Sequence, residues 1–218
     1  MPRQSRYNLC DHASHVMQQG LSQHASFVSD SDYQFYIECL KDAAEVHQCE
    51  VHAYALMPSH VHLIVTPKKH NGVSKMMQSI GRRYVQYFNT RYDRTGTLWE
   101  GRYKASLIQS GEHLENTIQY VEQCPVRSGF AEDASDYQWT SFRVRAANSE
   151  QASTQTEANS LCPTIESEIS NVLQKCLVYG DDSFKDLIES MLSRKVRPGK
   201  RGRPRKTAMT KPLMYATS

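Results

Sequence analysis

A chain of 218 residues with 39% hydrophobic content and a mean hydropathy of -0.62 has room for one domain with a sizeable core, or one domain and an appendage. No apolar run approaches the ~20 residues that cross a bilayer, and the basic stretch Met1–Tyr7 has no apolar segment behind it, so membrane-spanning and secreted readings are both disfavoured. The net charge of +3 hides an asymmetry: Arg194 to Lys206 holds eight basic residues and no acid, and taking eight from +3 leaves -5 for the rest, a pattern that predicts a polyanionic partner, nucleic acid before membrane surface.

In chain order, His12 to Gln19 predicts a short strand ending at Gly20. Ser29-Asp30-Ser31-Asp32 supplies the capping residues and acids of a helix start. Behind it Tyr33, Ile37, Leu40, Ala44 and His47 recur at helical spacing, which predicts an amphipathic helix to about residue 48. Val51–Met57 and Val61–Thr66 are apolar runs of strand length separated by Pro58-Ser59, so they predict neighbouring strands with at least one buried face. Residues i and i+2 of a strand share a face, so His60 and His62 leave the sheet side by side. They form a bidentate metal clamp if a third ligand arrives from elsewhere, and otherwise sit on the solvated face of an edge strand.

Asn71-Gly72 breaks the pattern, and Val73, Met76, Met77, Ile80, Tyr84, Tyr87 and Phe88 then mark one face of a long helix to about Tyr92. Its other side carries Lys75, Arg82, Arg83 and Arg91 with no acid, which is either a solvated face or one that meets phosphate. Leu98 to Ile108 reads as an extended loop running into a strand. A helix from about His113 to Gln123 follows and must stop near Cys124, because Pro125 disfavours helical geometry in the residue before it. The order strand, helix, strand, strand, helix, strand, helix predicts an α+β fold, a ferredoxin-like αβ sandwich on an antiparallel sheet with one helix added. Residues 147–163 are polar and predict a linker, and 164–193 predict a helical hairpin divided at Gly180-Asp181-Asp182-Ser183, packed on the body or standing beside it. The six cysteines contain no C-x-x-C pair, which argues against a zinc finger or a disulfide scaffold and fits a reducing cytosol.

Several words of this sequence resemble one family in its own order. They are Ala55-Leu56-Met57-Pro58-Ser59-His60-Val61-His62-Leu63, Gly81-Arg82-Arg83-Tyr84, Gly96-Thr97-Leu98-Trp99-Glu100-Gly101-Arg102-Tyr103-Lys104-Ala105, Tyr120-Val121-Glu122-Gln123-Cys124-Pro125-Val126-Arg127-Ser128-Gly129 and Asp136-Tyr137-Gln138-Trp139-Thr140-Ser141. Over roughly residues 1 to 145 the chain resembles the REP-associated tyrosine transposases, bacterial members of the single-tyrosine branch of the HUH endonucleases. The resemblance implies a catalytic domain over 1–146, with the remainder as linker, hairpin and a basic, disordered tail over 194–218.

It also implies a metal-dependent endonuclease and strand transferase acting on single-stranded DNA with hairpins, in the bacterial cytoplasm and nucleoid, as a monomer or homodimer. Tyr120 would be the nucleophile that forms a 5′-phosphotyrosine, and His60 and His62 would hold Mn²⁺ or Mg²⁺. The family places an Asn four residues after the tyrosine as third ligand, and here that position is Cys124. A thiol suits neither of these hard ions, so Glu122 or Gln123 substitutes, or water completes the site, or this chain is a hairpin-binding protein with impaired catalysis. A zinc hydrolase built on the two histidines is a further reading that lacks an acidic general base. Arg82, Arg83, Arg102, Lys104 and Arg127 are expected on phosphates, and Trp99 either stacks on an unpaired base or anchors the core. Arg201-Gly202-Arg203-Pro204-Arg205-Lys206 resembles an AT-hook, whose Arg201 and Arg203 would enter a minor groove, and otherwise is a plain basic tail.

Overall fold

Residues 6–7, 9–148 and 161–197 are described by the structure, a computed structural model. The first strand, β1 (Ala13–Gln19), leads to helix α1 (Asp30–Val46), the hairpin β2 (Cys49–Met57) and β3 (His60–Pro67), helix α2 (Gly72–Arg91), strand β4 (Lys104–Ile108) and helix α3 (Glu112–Glu122). Two short helices, α4 (Cys124–Arg127) and α5 (Phe142–Asn148), follow, then α6 (Pro163–Gln174), β5 (Val178–Tyr179) and α7 (Asp182–Leu192). The strands lie in the order β2-β3-β1-β4-β5, and every pairing is antiparallel except β4 with β5. The first four strands with α1 and α2 are the ferredoxin-like αβ sandwich that the element order predicted.

Both faces of this sheet are covered, which is why β3 reads as an almost unbroken apolar run. Val61, Leu63 and Val65 pack under α1 and α2 with Tyr36, Leu40, Met76, Ile80 and Tyr84. Ile64 faces the other way, with Ala53, Ala55 and Met57 of β2 and Ile118 and Val121 of α3. The shift of register between Val51 and Ala53 is a bulge, and it explains why Cys49 and Val51 share a face with Leu56.

Asp32 ties α1 to α2. It is fully buried, yet its carboxylate accepts from the Val28 and Ser29 amides at 2.8 and 2.9 Å and from the Tyr92 and Tyr87 hydroxyls at 2.7 and 3.0 Å. Burial alone would raise its pKa, but the hydrogen bonds from Tyr92 and the amides outweigh that and hold it below the usual carboxylate value.

Trp99 belongs to this core. It is 5% exposed, edge-on to Tyr36 at 6.4 Å and tilted against Tyr84 at 6.1 Å, so it cannot stack on a base. Of the two roles expected for it, the core anchor is the one the fold realises.

The C-terminal segment departs from a simple hairpin beside the body. Its two helices are joined by β5, which pairs with β4 through Leu107–Val178 and Ile108–Tyr179 and so extends the main sheet. Ile169 of α6 shares a core with Ile118 and Val121, while Leu107, Val178 and Ile188 form another with Tyr7 and Val196. The start of the expected disordered tail is therefore packed: Val196 is buried, and Arg197 pairs with Asp186 at 2.7 Å and Glu189 at 3.4 Å. Arg201 and Arg203 lie outside the described residues, as does most of the expected linker. No helix among the described residues is long and apolar enough to cross a membrane.

Candidate active site

The side chains of His60 and His62 leave β3 on the face that carries Ile64 and meets α3. Their rings stand perpendicular with centroids 5.3 Å apart. On the neighbouring strand β1, His15 pairs in register with Ile64 and so shares that face. Its Nε2 lies 2.9 Å from His62 Nδ1, a buried hydrogen bond. With His62 Nδ1 engaged in this way, Nε2 is the atom left to bind a ligand. Metal-binding histidines are commonly oriented through their second nitrogen in this manner.

Helix α3 lays Tyr120 over the same patch. Its ring is edge-on to His62 at 6.2 Å and to His15 at 5.9 Å. The helix ends at Glu122, two residues before Cys124, and Pro125 sits in the first turn of α4, where a missing N–H leaves no helical bond unmade. The break keeps Cys124 against the sheet, 5% exposed, with its Sγ 3.6 Å from His60 Nε2. Ligand atoms of His60, His62 and Cys124 all lie within 4.8 Å of one another. The last turn of α4 brings Arg127 over the Tyr120 ring, 3.9 Å from its centroid, with Glu166 of α6 at 3.6 Å.

Burial sets the protonation states. It lowers the pKa of His15 to about 3, and the Arg127 charge works in the same direction. His62 is held well below the ordinary value by burial and then by His15, His60 and Arg127, and His60 is lowered by burial and Arg127. All three are therefore neutral imidazoles at neutral pH, the form that binds metal. Burial pushes the Cys124 thiol up against the pull of Arg127. Two neutral imidazoles and a thiol form a donor set that fits a borderline divalent ion better than Mg²⁺, which prefers oxygen.

These shifts predict an acid-sensitive fold. The unfolded chain takes up protons on its histidines below about pH 6.5 and the folded His15 does not, so stability is full above that pH and declines as the pH falls. In chelator-treated buffer, lowering the pH from 7.5 to 5 should reduce the unfolding free energy by roughly 2 kcal/mol through His15 alone, with His62 adding in the same direction. Denaturant melts at both pH values check this, and a His15→Gln variant should show the smaller pH dependence.

Several expected site residues lie elsewhere. Glu122 is no stand-in ligand: its carboxylate accepts from Ser141 Oγ at 2.8 Å and from Arg145 Nε and Nη2 at 3.0 and 2.9 Å, which ties α3 to α5. Arg82 and Arg83 are on α2, across the sheet from Tyr120, and Arg83 pairs with Asp42 at 2.8 Å. Lys104, at the start of β4, bonds to Gln174 of α6. Arg102 is exposed just before β4. Of the five basic residues expected on phosphate, Arg127 is the one that touches the candidate nucleophile. His15 was not anticipated. Its signal was strand parity, since Ala13 and His15 share a face in the segment read as a strand.

Comparison with known proteins follows the same outline. The family described as "Transposase IS200 like" matches residues 10–124, from just before β1 to Cys124. A protein of Haemophilus influenzae described as a REP-associated tyrosine transposase is 22% identical over 112 residues, which is 47% of this chain and 64% of that protein. The match thus spans less than two thirds of that relative's length. The solved structure of a REP-associated tyrosine transposase bound to a REP hairpin superposes with a TM-score of 0.59 at 18% identity, covering 68% of this chain and 87% of that one. At that identity the likeness is one of fold.

Proposed function

The chain belongs to the IS200-like transposase family, and from that premise we propose that it nicks and rejoins single-stranded DNA beside REP-like hairpins through a covalent bond to Tyr120. The observation that carries the reading is the convergence of Tyr120, His60, His62 and Arg127 on one face of the sheet, drawn from β3, α3 and α4. The Tyr120 oxygen attacks the scissile phosphorus in line, the bond to the 3′ oxygen breaks, and the proton given up by the phenol is balanced by the one gained at the free 3′-hydroxyl. A 5′-phosphotyrosine stores the bond energy, so attack by a 3′-hydroxyl on the same phosphorus rejoins strands without ATP. Arg127, stacked on the phenol ring, favours negative charge on the attacking oxygen and on the phosphate. His15 keeps His62 turned toward the site through their hydrogen bond. A divalent ion, Mn²⁺ in preference to Mg²⁺, held by His60 and His62 would supply charge to a non-bridging phosphate oxygen.

A labelled single-stranded hairpin with flanking strands, incubated with the protein and Mn²⁺, should give a denaturation-resistant protein–DNA adduct. Tight binding without any adduct would favour a second reading, a hairpin-binding protein with impaired catalysis, for which the thiol of Cys124 beside His60 is the motivating feature. Cys124→Asn separates the two. An amide oxygen suits a hard ion and a thiol does not. The variant is expected to cleave several-fold faster in Mg²⁺ than the parent, and the parent to favour Mn²⁺. Equal rates for both proteins in both metals would remove residue 124 from the coordination shell.

A further inference from the structure

Helix α6 lies on the face of the sheet that carries the histidines. Its buried side chains are Ile169 and Leu173, and Ile169 shares a core with Ile64 of β3 and Ile118 and Val121 of α3. From this seat α6 meets two cations of the Tyr120 face. Met17 of β1 pairs in register with His62 on one side and Lys104 on the other, so these three side chains point the same way, with Lys104 two strands, roughly 10 Å, from His62. Gln174, the last residue of α6, accepts from the Lys104 ammonium. Glu166, in the first turn of α6, lies 3.6 Å from Arg127, which covers the Tyr120 ring.

Arg127 is held by little else. Among the described residues the ion pair with Glu166 is the only polar contact of its side chain, and the stack on Tyr120 is the other contact that fixes it. An arginine side chain is long and has many rotamers, and a cation beside a site for a divalent ion is repelled from it. Both effects turn Arg127 toward solvent unless an anion holds it near the phenol. Glu166 supplies that anion. Its side chain and that of Arg127 are each only 25% exposed, so solvent screens the pair less than it screens a surface pair. The carboxylate faces Nη1, which leaves the Nε–Nη2 edge of the guanidinium for two oxygens of a phosphate. An acid in a first turn also favours the helix dipole, but that role needs no arginine.

We infer that Glu166 is a positioning residue: it holds the Arg127 guanidinium against Tyr120 and keeps it there when the scissile phosphate arrives, so the C-terminal segment completes the active site. Neither Arg127 nor Glu166 lies within residues 10–124 of the family match. The inference rests on the reading of Tyr120 as nucleophile, and it adds a residue that acts through Arg127 without touching the phosphate.

The test uses the full chain. Glu166→Gln keeps the shape and removes the charge, and Glu168→Gln removes the same charge from an exposed position of α6 that has no ion pair among the described residues. Single-turnover adduct formation is measured with saturating flanked hairpin and Mn²⁺, together with DNA affinity and melting temperature. Glu166→Gln should form adduct about ten- to a hundredfold more slowly, the loss expected when a charge-stabilising group is displaced by about 1 Å. Its DNA affinity should be unchanged or slightly tighter, since a negative charge near the phosphate is gone, and its melting temperature should stay within about 2 °C of the parent. Glu166→Asp should recover part of the rate, and Glu168→Gln should match the parent. In an Arg127→Gln background, itself slow, Glu166→Gln should change the rate by less than about twofold, because a residue that acts only through Arg127 has nothing left to act on. An unchanged or raised rate in Glu166→Gln would overturn the inference. So would equal losses in the two backgrounds, or affinity and melting temperature falling in step with the rate.

A second readout needs neither DNA nor metal. The Arg127 Nε–H resonance, assigned by its absence in Arg127→Gln, should be displaced upfield by the Tyr120 ring in the parent and return to the ordinary arginine position in Glu166→Gln. A resonance at the same position in both proteins would overturn the positioning role. A displacement that Glu166→Gln abolishes, in a protein that forms no adduct, would instead count against the nicking reading and leave the hold of Glu166 on Arg127 standing.

Discussion

Tyr120→Phe is expected to abolish the covalent protein–DNA adduct, lowering its yield at least about a thousandfold, while hairpin affinity stays within a few-fold of the parent. The substitution removes a single oxygen. The ring that lies edge-on to His15 and His62 and under Arg127 is retained, so the packing of α3 on the sheet is not disturbed. Tyr120 is half-buried, and among the described residues no hydrogen bond holds its hydroxyl to the protein, which leaves that oxygen open to substrate. Melting temperature should therefore be unchanged, and loss of adduct at constant stability distinguishes chemistry from unfolding. Undiminished adduct in the variant would move the nucleophile to another residue.

His60→Ala and His62→Ala should each eliminate cleavage, and the double variant should lose Mn²⁺ affinity by more than about a hundredfold in calorimetry. The two differ in what they do to the fold. His60 is partly exposed, and its nearest polar partners are Ser59 at 3.3 Å and Cys124 at 3.6 Å, so its removal should cost little stability. His62 is 5% exposed, and without it His15 is left with no partner on either ring nitrogen, since His15 Nδ1 already has none. A loss of roughly 1–3 kcal/mol follows for His62→Ala. His60→Ala is consequently the cleaner probe of the metal. Calorimetry showing equal affinity in the parent and the double variant would dismiss the clamp.

The sequence carried the frame of this protein because its strands and helices obey local periodicities. The His60–His62 face, the Tyr120 helix and its end before Pro125 were all legible from spacing of two, spacing of three and four, and the chemistry of proline. Residues whose role depends on which surfaces meet were not legible. Trp99 had two equal readings until Tyr36 and Tyr84 closed around it, and the basic words divided between the two faces of the sheet. Glu122 looked available as a ligand until Arg145, far along the chain, claimed both its oxygens.

By itself the sequence determined the element order, the ferredoxin-like sandwich and the family, since each of these is encoded in contiguous words. Tertiary structure alone decided that His15 supports His62, that Arg127 covers Tyr120, and that the C-terminal helices join the sheet through β5. The physical reason is distance along the chain. A periodic pattern states which face of an element is apolar, but it does not state which other face will bury it. The His15–His62 bond spans 47 positions, and it exists because β1 lies between β3 and β4 in the sheet.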